Sequence, residues 1–273
     1  MTDQEPADVS VAEILRRIAG YYDETTGAYL DAMGPTLQAG LPGDDEARDS
    51  FESGNVRWAR RAGISPGDRV LDAGCGVCGP AIDIALAIDD VQIDGLTISP
   101  VQAEIASARI AEAGLTDRVR VHVRDYHEPG FDDDTFDVVM FLEASGYAYD
   151  PRRLFAGAHR VLRRGGTLYL KDLFRRFERD LTSVQRVELE RFDEIYRHRT
   201  PRASERRALI EDAGFADVRW EDLSPMLSIK TFTDAMVEQP ADGPPALTEF
   251  GRHHYWWFGE LPIVFHQIVA RKP

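Results

Sequence analysis

From Arg69 onward the chain alternates short β-branched runs with stretches of helical period. That alternation leaves few folds open. RVLDA (69–73) reads as a strand and PAIDIALAI (80–88) as a helix. VQIDGLTI (91–98) is a second strand and 100–114 a helix ending in glycine. VRVHVRD (119–125) and FDVVMFLE (136–143) read as strands three and four. Asp150–Pro151 is an N-cap and first-turn pair for a helix to about residue 162. RRGG (163–166) is a turn before a fifth strand, TLYLKDLF (167–174). Strand–helix repeats with apolar strands predict a parallel sheet covered on both faces.

The flanks are less regular. Residues 8–20 have helical spacing through Val11, Ile14, Leu15 and Ile18, and 21–50 show no clear period. A helix is expected over 51–62. Leu181, Val184, Val187, Phe192 and Ile195 mark an amphipathic helix within 175–200. Residues 208–224 read as a helix, Gly214 and a strand, and 262–271 as a closing strand. The expected organisation is an N-terminal helical lid segment (1–50), a nucleotide-binding core (51–174), a lid insertion (175–205) and the end of the sheet (206–273). A second insertion falls at 225–258.

Charge and cysteines exclude several classes. Net charge is −15, so polyanions such as nucleic acid are repelled. No apolar run is long enough to span a bilayer, and the polar N-terminus MTDQEPADVS lacks a signal's apolar stretch. Cys75 and Cys78 are the sole cysteines, too few for a disulfide framework. The CxxC they form lacks the further ligands a zinc site needs. A cytoplasmic protein with a small-molecule substrate is expected, with a second copy of the chain as the other partner considered.

DAGCGVCG (72–79) fits G-x-G-x-x-G through Gly74, Gly76 and Gly79, after a strand and before a helix, as a dinucleotide fingerprint does. Asp94 lies near the distance expected of a ribose acid. Asp72 argues for another ligand. A carboxylate at the first glycine would repel a pyrophosphate, whereas a sulfonium nucleoside with an α-amino group accepts an anion there.

VLDAGCG (70–76) resembles motif I of the class I S-adenosylmethionine-dependent methyltransferases, with the fourth and fifth strands where that family has them. The resemblance covers about 51–224 and the last strand. It implies a Rossmann-like α/β fold, a seven-stranded, mostly parallel sheet with a mostly helical lid and an antiparallel last strand. Gly74 and Gly76 would pass the methionine moiety. GLTISPVQ (95–102) resembles the variant in cyclopropane synthases, sterol C-methyltransferases and prenyl diphosphate C-methyltransferases, in which Thr and Gln replace the ribose acid; these match Thr97 and Gln102. YYDETTGAYL (21–30) is similar to their N-terminal segment, so Tyr21 or Tyr22 would reach the methionine carboxylate and Tyr29 the acceptor. RDY (124–126) would place Asp125 on the adenine amino group, with Tyr126 beside it.

FLEASGYAYD (141–150) resembles the acidic segment after strand four in sterol and prenyl C-methyltransferases. The resemblance implies that Glu143 stabilises the carbocation left by alkene methylation and then takes its proton. Tyr147, Tyr149, Trp256, Trp257 and Phe258 are candidate aromatic partners. The plainer reading makes Glu143 a loop carboxylate capping a helix or pairing with an Arg. YRHRTPR (196–202) is similar to a segment of geranyl diphosphate methyltransferases, so Arg197, His198, Arg199 and Arg202 would hold a diphosphate, with or without Mg²⁺. The N-terminal segment lacks the Cys expected of a cyclopropane synthase. C-methylation of a prenyl diphosphate is the expected reaction. The alternative is N- or O-methylation of a small natural product, with a lid His as base. His253–His254 reads as a surface or pocket pair, and no metal site is assigned.

Overall fold

The computed structural model describes residues 9–38, 51–223, 225 and 262–273. Trp256, Trp257, Phe258 and His253–His254 lie outside the described residues, as do most of 225–258 and 39–50.

Seven strands form one sheet in the order β3-β2-β1-β4-β5-β7-β6. They are β1 Arg69–Ala73, β2 Gln92–Thr97, β3 Val119–Val123, β4 Phe136–Leu142, β5 Leu162–Arg175, β6 Ala216–Asp222 and β7 Ile263–Arg271. The first five are parallel, and β7 runs antiparallel to β5 and β6. The chain winds outward from β1 to β3, then returns to place β4 on the other side of β1. The crevice between β1 and β4 is therefore a topological switch point, where open α/β sheets bind ligands. The loops leaving these two strands carry the glycine motif and Glu143.

The helices are α1 Val11–Met33, α2 Phe51–Ala62, α3 Gly79–Ala87, α4 Pro100–Glu112, α5 Pro151–Val161, α6 Ser183–Tyr196 and α7 Ala203–Asp212. Ser99 caps α4 by accepting from the Gln102 amide, and Asp150 caps α5 by accepting from Arg152 and Arg153. Two apolar clusters fill the opposite faces of the sheet, one around Trp58, Ile84, Ile93 and Tyr169, the other around Leu71, Phe141, Phe155 and Leu168.

Three expectations are corrected. The first helix runs to Met33 rather than ending near residue 20. Its second half buries Thr25, Thr26 and Tyr29, a mixed polar and aromatic face that hides the period. RRGG lies within β5 rather than before it; the pairing with β4 shifts between Phe136 and Val138, and Gly165 takes φ +77°. In α6, Leu189 and Phe192 face the core, while Val184 and Val187 are exposed, so those two valines do not belong to its buried stripe.

Candidate active site

β1 ends at Ala73, and the backbone turns sharply through Gly74 at φ +99° and Gly76 at φ +54°. Both conformations favour glycine. Gly74 is also required by space, because a Cβ there would collide with the Ala144 Cβ in the loop after β4. The two loops thus meet with the Ala144 methyl against Gly74, and both residues line the same cavity.

Within β1 is Asp72, 1% exposed, with its Oδ2 lacking any hydrogen-bond partner. Burial pushes its carboxyl up to about 7. A buried carboxylate oxygen without a donor is costly, and an ammonium group would satisfy it. Both thiols pack near Gly95, where a Cβ would lie 2.8 Å from Cys75 Sγ and 3.2 Å from Cys78 Sγ. A hydrogen bond with Cys78, together with burial, pushes the Cys75 thiol well up, so both cysteines are packed within the loop. Among the described residues no group of three His, Cys, Asp or Glu could hold a metal ion.

A cavity of about 690 Å³, mouth included, opens beside the glycines. Its wall includes Tyr22, Gly74, Gly76, Thr97, Gln102, Asp125, Tyr126, Glu143 and Tyr147, nine residues singled out from the sequence. Thr97 Oγ1 donates to Gln102 Oε1 at 2.7 Å, and Gln102 Nε2 donates to Thr26 of α1 at 3.2 Å. Asp125 Oδ1 accepts from the His127 amide at 2.9 Å and lies 2.6 Å from the His127 ring nitrogen Nδ1; Oδ2 accepts from Tyr149 at 3.1 Å. Burial pushes the Asp125 carboxyl up, but the bonds from His127 outweigh it and hold it below its ordinary value. These groups fit a nucleoside: a hydroxyl–amide pair and a fixed carboxylate along one wall, and a cradle of glycines beside a buried carboxyl.

Three candidate tyrosines, Tyr21, Tyr29 and Tyr149, fall elsewhere. Tyr21 and Tyr29 share a hydrogen bond of 2.7 Å, and neither is among the cavity-lining residues. Tyr22 does line it, and its ring meets Tyr147 edge-on at 5.6 Å. Burial pushes the Tyr22 and Tyr147 hydroxyls well up, so both stay protonated.

Glu143 follows β4 with φ +56°, a left-handed conformation unusual for a residue with a side chain. Its amide donates to the Lys171 carbonyl at 2.7 Å, and its Oε1 accepts from the Lys171 ammonium. Lys171 is fully buried on β5 and also donates to Gln38 Oε1 at 3.0 Å. Glu143 therefore reaches the cavity with a cation already against it. The plainer sequence reading paired Glu143 with an Arg; the structure places Lys171 against it.

The next β5 residue, Asp172, points to the opposite face, as strand alternation requires. It accepts from the Ser145 amide at 2.8 Å and hydroxyl at 2.6 Å and lies 3.7 Å from His198 Nε2. His198 is also 3.6 Å from Asp193, and its ring meets Tyr147 edge-on at 5.2 Å. Burial pulls the His198 imidazole down, but the two carboxylates outweigh it and push it up to about 9. A protonated His198 is poorly suited to act as a base, and the other lid histidines considered, His253 and His254, lie outside the described residues. Arg197 and Arg199 are exposed, and Arg202 pairs with Asp180 and Glu205. None of the four residues from 196–202 is among those lining the cavity.

The sequence reading missed Lys171, Asp172, His127, Leu37 and Gln38. A signal existed for the first two: a Lys–Asp pair inside an otherwise apolar strand, with Lys171 one of three lysines in the chain.

A methyltransferase domain model matches residues 70–166. An O-methyltransferase of Aspergillus nomiae is 29% identical over 220 residues, covering 79% of this chain and 96% of that protein. The 27-O-demethylrifamycin SV methyltransferase of Amycolatopsis mediterranei is 41% identical over 132 residues, 47% of this chain and 48% of that one. Among solved structures, the [4+2]-cyclase SpnF is 26% identical with a TM-score of 0.79, covering 95% of this chain and 97% of that chain. A geranyl diphosphate methyltransferase shares the fold, with a TM-score of 0.75 at 20% identity over 95% of this chain and 100% of that chain. No helix among the described residues is long and apolar enough to cross a membrane. Sheet order and glycine loop agree with the matched domain: residues 70–166 carry a methyltransferase domain on a Rossmann-like, seven-stranded sheet.

Proposed function

We propose that this protein methylates an oxygen of an apolar small molecule, with Glu143 meeting the acceptor hydroxyl. One observation carries the choice: the Glu143 carboxylate on the cavity wall is ion-paired with the buried Lys171 ammonium. A carbocation is stabilised best by an anion turned toward it, and this carboxylate already has the Lys171 side chain against it. A hydroxyl needs a fixed hydrogen-bond acceptor, which a carboxylate held from both backbone and side chain supplies.

Asp72, Gly74, Gly76, Thr97, Gln102, Asp125 and Tyr22 would hold S-adenosylmethionine. When bound, the cofactor supplies an electrophilic methyl on its sulfonium. Glu143 would accept the hydroxyl's hydrogen bond and take its proton as the oxygen–methyl bond forms and the methyl–sulfur bond breaks, leaving a neutral thioether. Leu15, Ile18, Leu37 and Leu142 add apolar wall to the cavity, which Arg124 and His127 also line, and the apolar part fits an aromatic or polyketide-like acceptor. The O-methyltransferases among the relatives support the same reading.

A second reading, C-methylation of an alkene, is favoured by Tyr22, Tyr126 and Tyr147 on the same wall. Each ring facing a cation offers ~0.5–2 kcal/mol. Its prenyl diphosphate form is less well supported, because the arginines meant for the diphosphate are exposed or paired with carboxylates.

On a hydroxyl acceptor, Glu143→Gln is expected to lower kcat/KM for the acceptor by about 100-fold. The Kd of S-adenosylmethionine should stay within about twofold. An unchanged kcat/KM would remove Glu143 from the acceptor site.

A further inference from the structure

Glu143 lies at the end of a buried polar chain that begins near the glycine loop. Asp83 on α3 accepts from Asn55 Nδ2 at 2.6 Å, and the same nitrogen donates to Thr36 Oγ1 at 2.8 Å. Asn55 Oδ1 accepts from Gln38 Nε2 at 3.3 Å. Gln38 must then turn its carbonyl toward Lys171, which donates to it at 3.0 Å and to Glu143. Thr36, Gln38, Asn55 and Lys171 are each at most 3% exposed. Every link has one workable orientation, because an amide offers its donor on one side and its acceptor on the other.

Residues 35–38 also cover the cofactor loop. A Cβ on Gly79 would collide with the Pro35 carbonyl, and one on Gly76 would touch Leu37 at 3.5 Å. Leu37 lines the cavity itself. The segment that seats on the glycines is thus the segment that hands an acceptor to Lys171.

Among the described residues the Lys171 ammonium has few alternatives. Beyond Gln38 and Glu143 it faces the rings of Trp58 at 5.3 Å and Phe265 at 5.7 Å. A buried ammonium that loses a partner becomes expensive, so a shift of Gln38 changes its hold on Glu143.

We propose that Lys171 is a positioning residue, its ammonium shared between Gln38 of the cofactor-covering segment and Glu143, so that Glu143 is set for the acceptor when the cover is seated. The proposal rests on the reading of Glu143 as the acceptor-facing group. It differs from a merely structural ion pair in what it predicts for turnover.

The test is a pair of double-mutant cycles in the full-length protein, reading kcat, acceptor KM and the Kd of S-adenosylmethionine. Lys171→Met should lower kcat by about 100-fold while leaving the cofactor Kd within about twofold. The variant carrying both Lys171→Met and Glu143→Gln should be no slower than Glu143→Gln alone, because nothing is left to position. Gln38→Leu keeps the ion pair and repeats the cycle if Lys171→Met does not fold; it should slow the native enzyme but not the Glu143→Gln background.

Losses that multiply in both backgrounds, or a fall in thermal stability with kcat intact, would overturn the proposal. If Glu143→Gln itself leaves turnover unchanged, the functional reading fails instead. If Glu143→Gln is slow while Lys171→Met is not, the inference about Lys171 alone fails.

Discussion

On the proposed reading, cofactor binding turns on Asp72. Burial raises its carboxyl to about 7 in the empty protein, so near neutral pH a large share of it is protonated. A ligand ammonium would require the ionised form, and binding must then release a proton. The sign follows from linkage: affinity for S-adenosylmethionine should strengthen as pH rises from about 6 to 8. Calorimetry in two buffers of different ionisation enthalpy at pH 6.5 should register the released proton, and Asp72→Asn should bind weakly with no such release. Equal affinity at both pH values would mean that Asp72 does not meet the cation. Asp72 was legible because it is local, fixed by its place before the first glycine. Lys171 was not, because its partner Glu143 is reached across the β4–β5 pairing, where Leu142 stands beside Lys171. A sequence shows strand neighbours only once the strand order is known.

At the scale of elements, β5 gives opposite roles to adjacent residues. Lys171 serves Glu143 on one face, and Asp172 holds Ser145 and His198 on the other. The short helical turn Ser145–Tyr147 is gripped from both sides: Ser145 donates to Asp172, and the Gly146 carbonyl accepts from the Arg199 amide at 2.9 Å. The His198 ring fills the space a Cβ on Gly146 would need. Gly146→Ala should therefore push His198 and Tyr147 apart. The acceptor KM is expected to rise by about tenfold, with cofactor affinity kept. A fall in cofactor affinity of equal size would mean that the turn supports the whole cavity. The strands and α3–α5 were legible because their period is regular and their caps are local. The second half of α1 was not, because Tyr22 and Thr26 on it face the site rather than an apolar core, and function replaces the period there.

For the whole molecule, the sheet order explains why one crevice holds everything. Winding outward from β1 in both directions puts the glycine loop and the Glu143 loop side by side, and α1 closes the crevice with Leu15, Ile18 and Tyr22. His198 ties the chain after α6 to this core through Asp172. Its imidazole is raised from 6.5 to about 9, so its contribution to stability is fully present below about pH 6.5 and is lost as pH rises through about 9. The Tm difference between the native protein and His198→Gln should be largest near pH 6 and shrink by pH 10. A difference constant across that range would mean that His198 acts by packing alone.

The account turns on where the methyl group goes. The most direct measurement is transfer from ¹³C-methyl S-adenosylmethionine to a panel of phenols, polyketide alcohols, amines and prenyl diphosphates, with the product read by carbon NMR. A methyl ether on a hydroxyl acceptor is the predicted result. Label on a carbon of a prenyl diphosphate, or cofactor binding with no transfer to any acceptor in the panel, would contradict it.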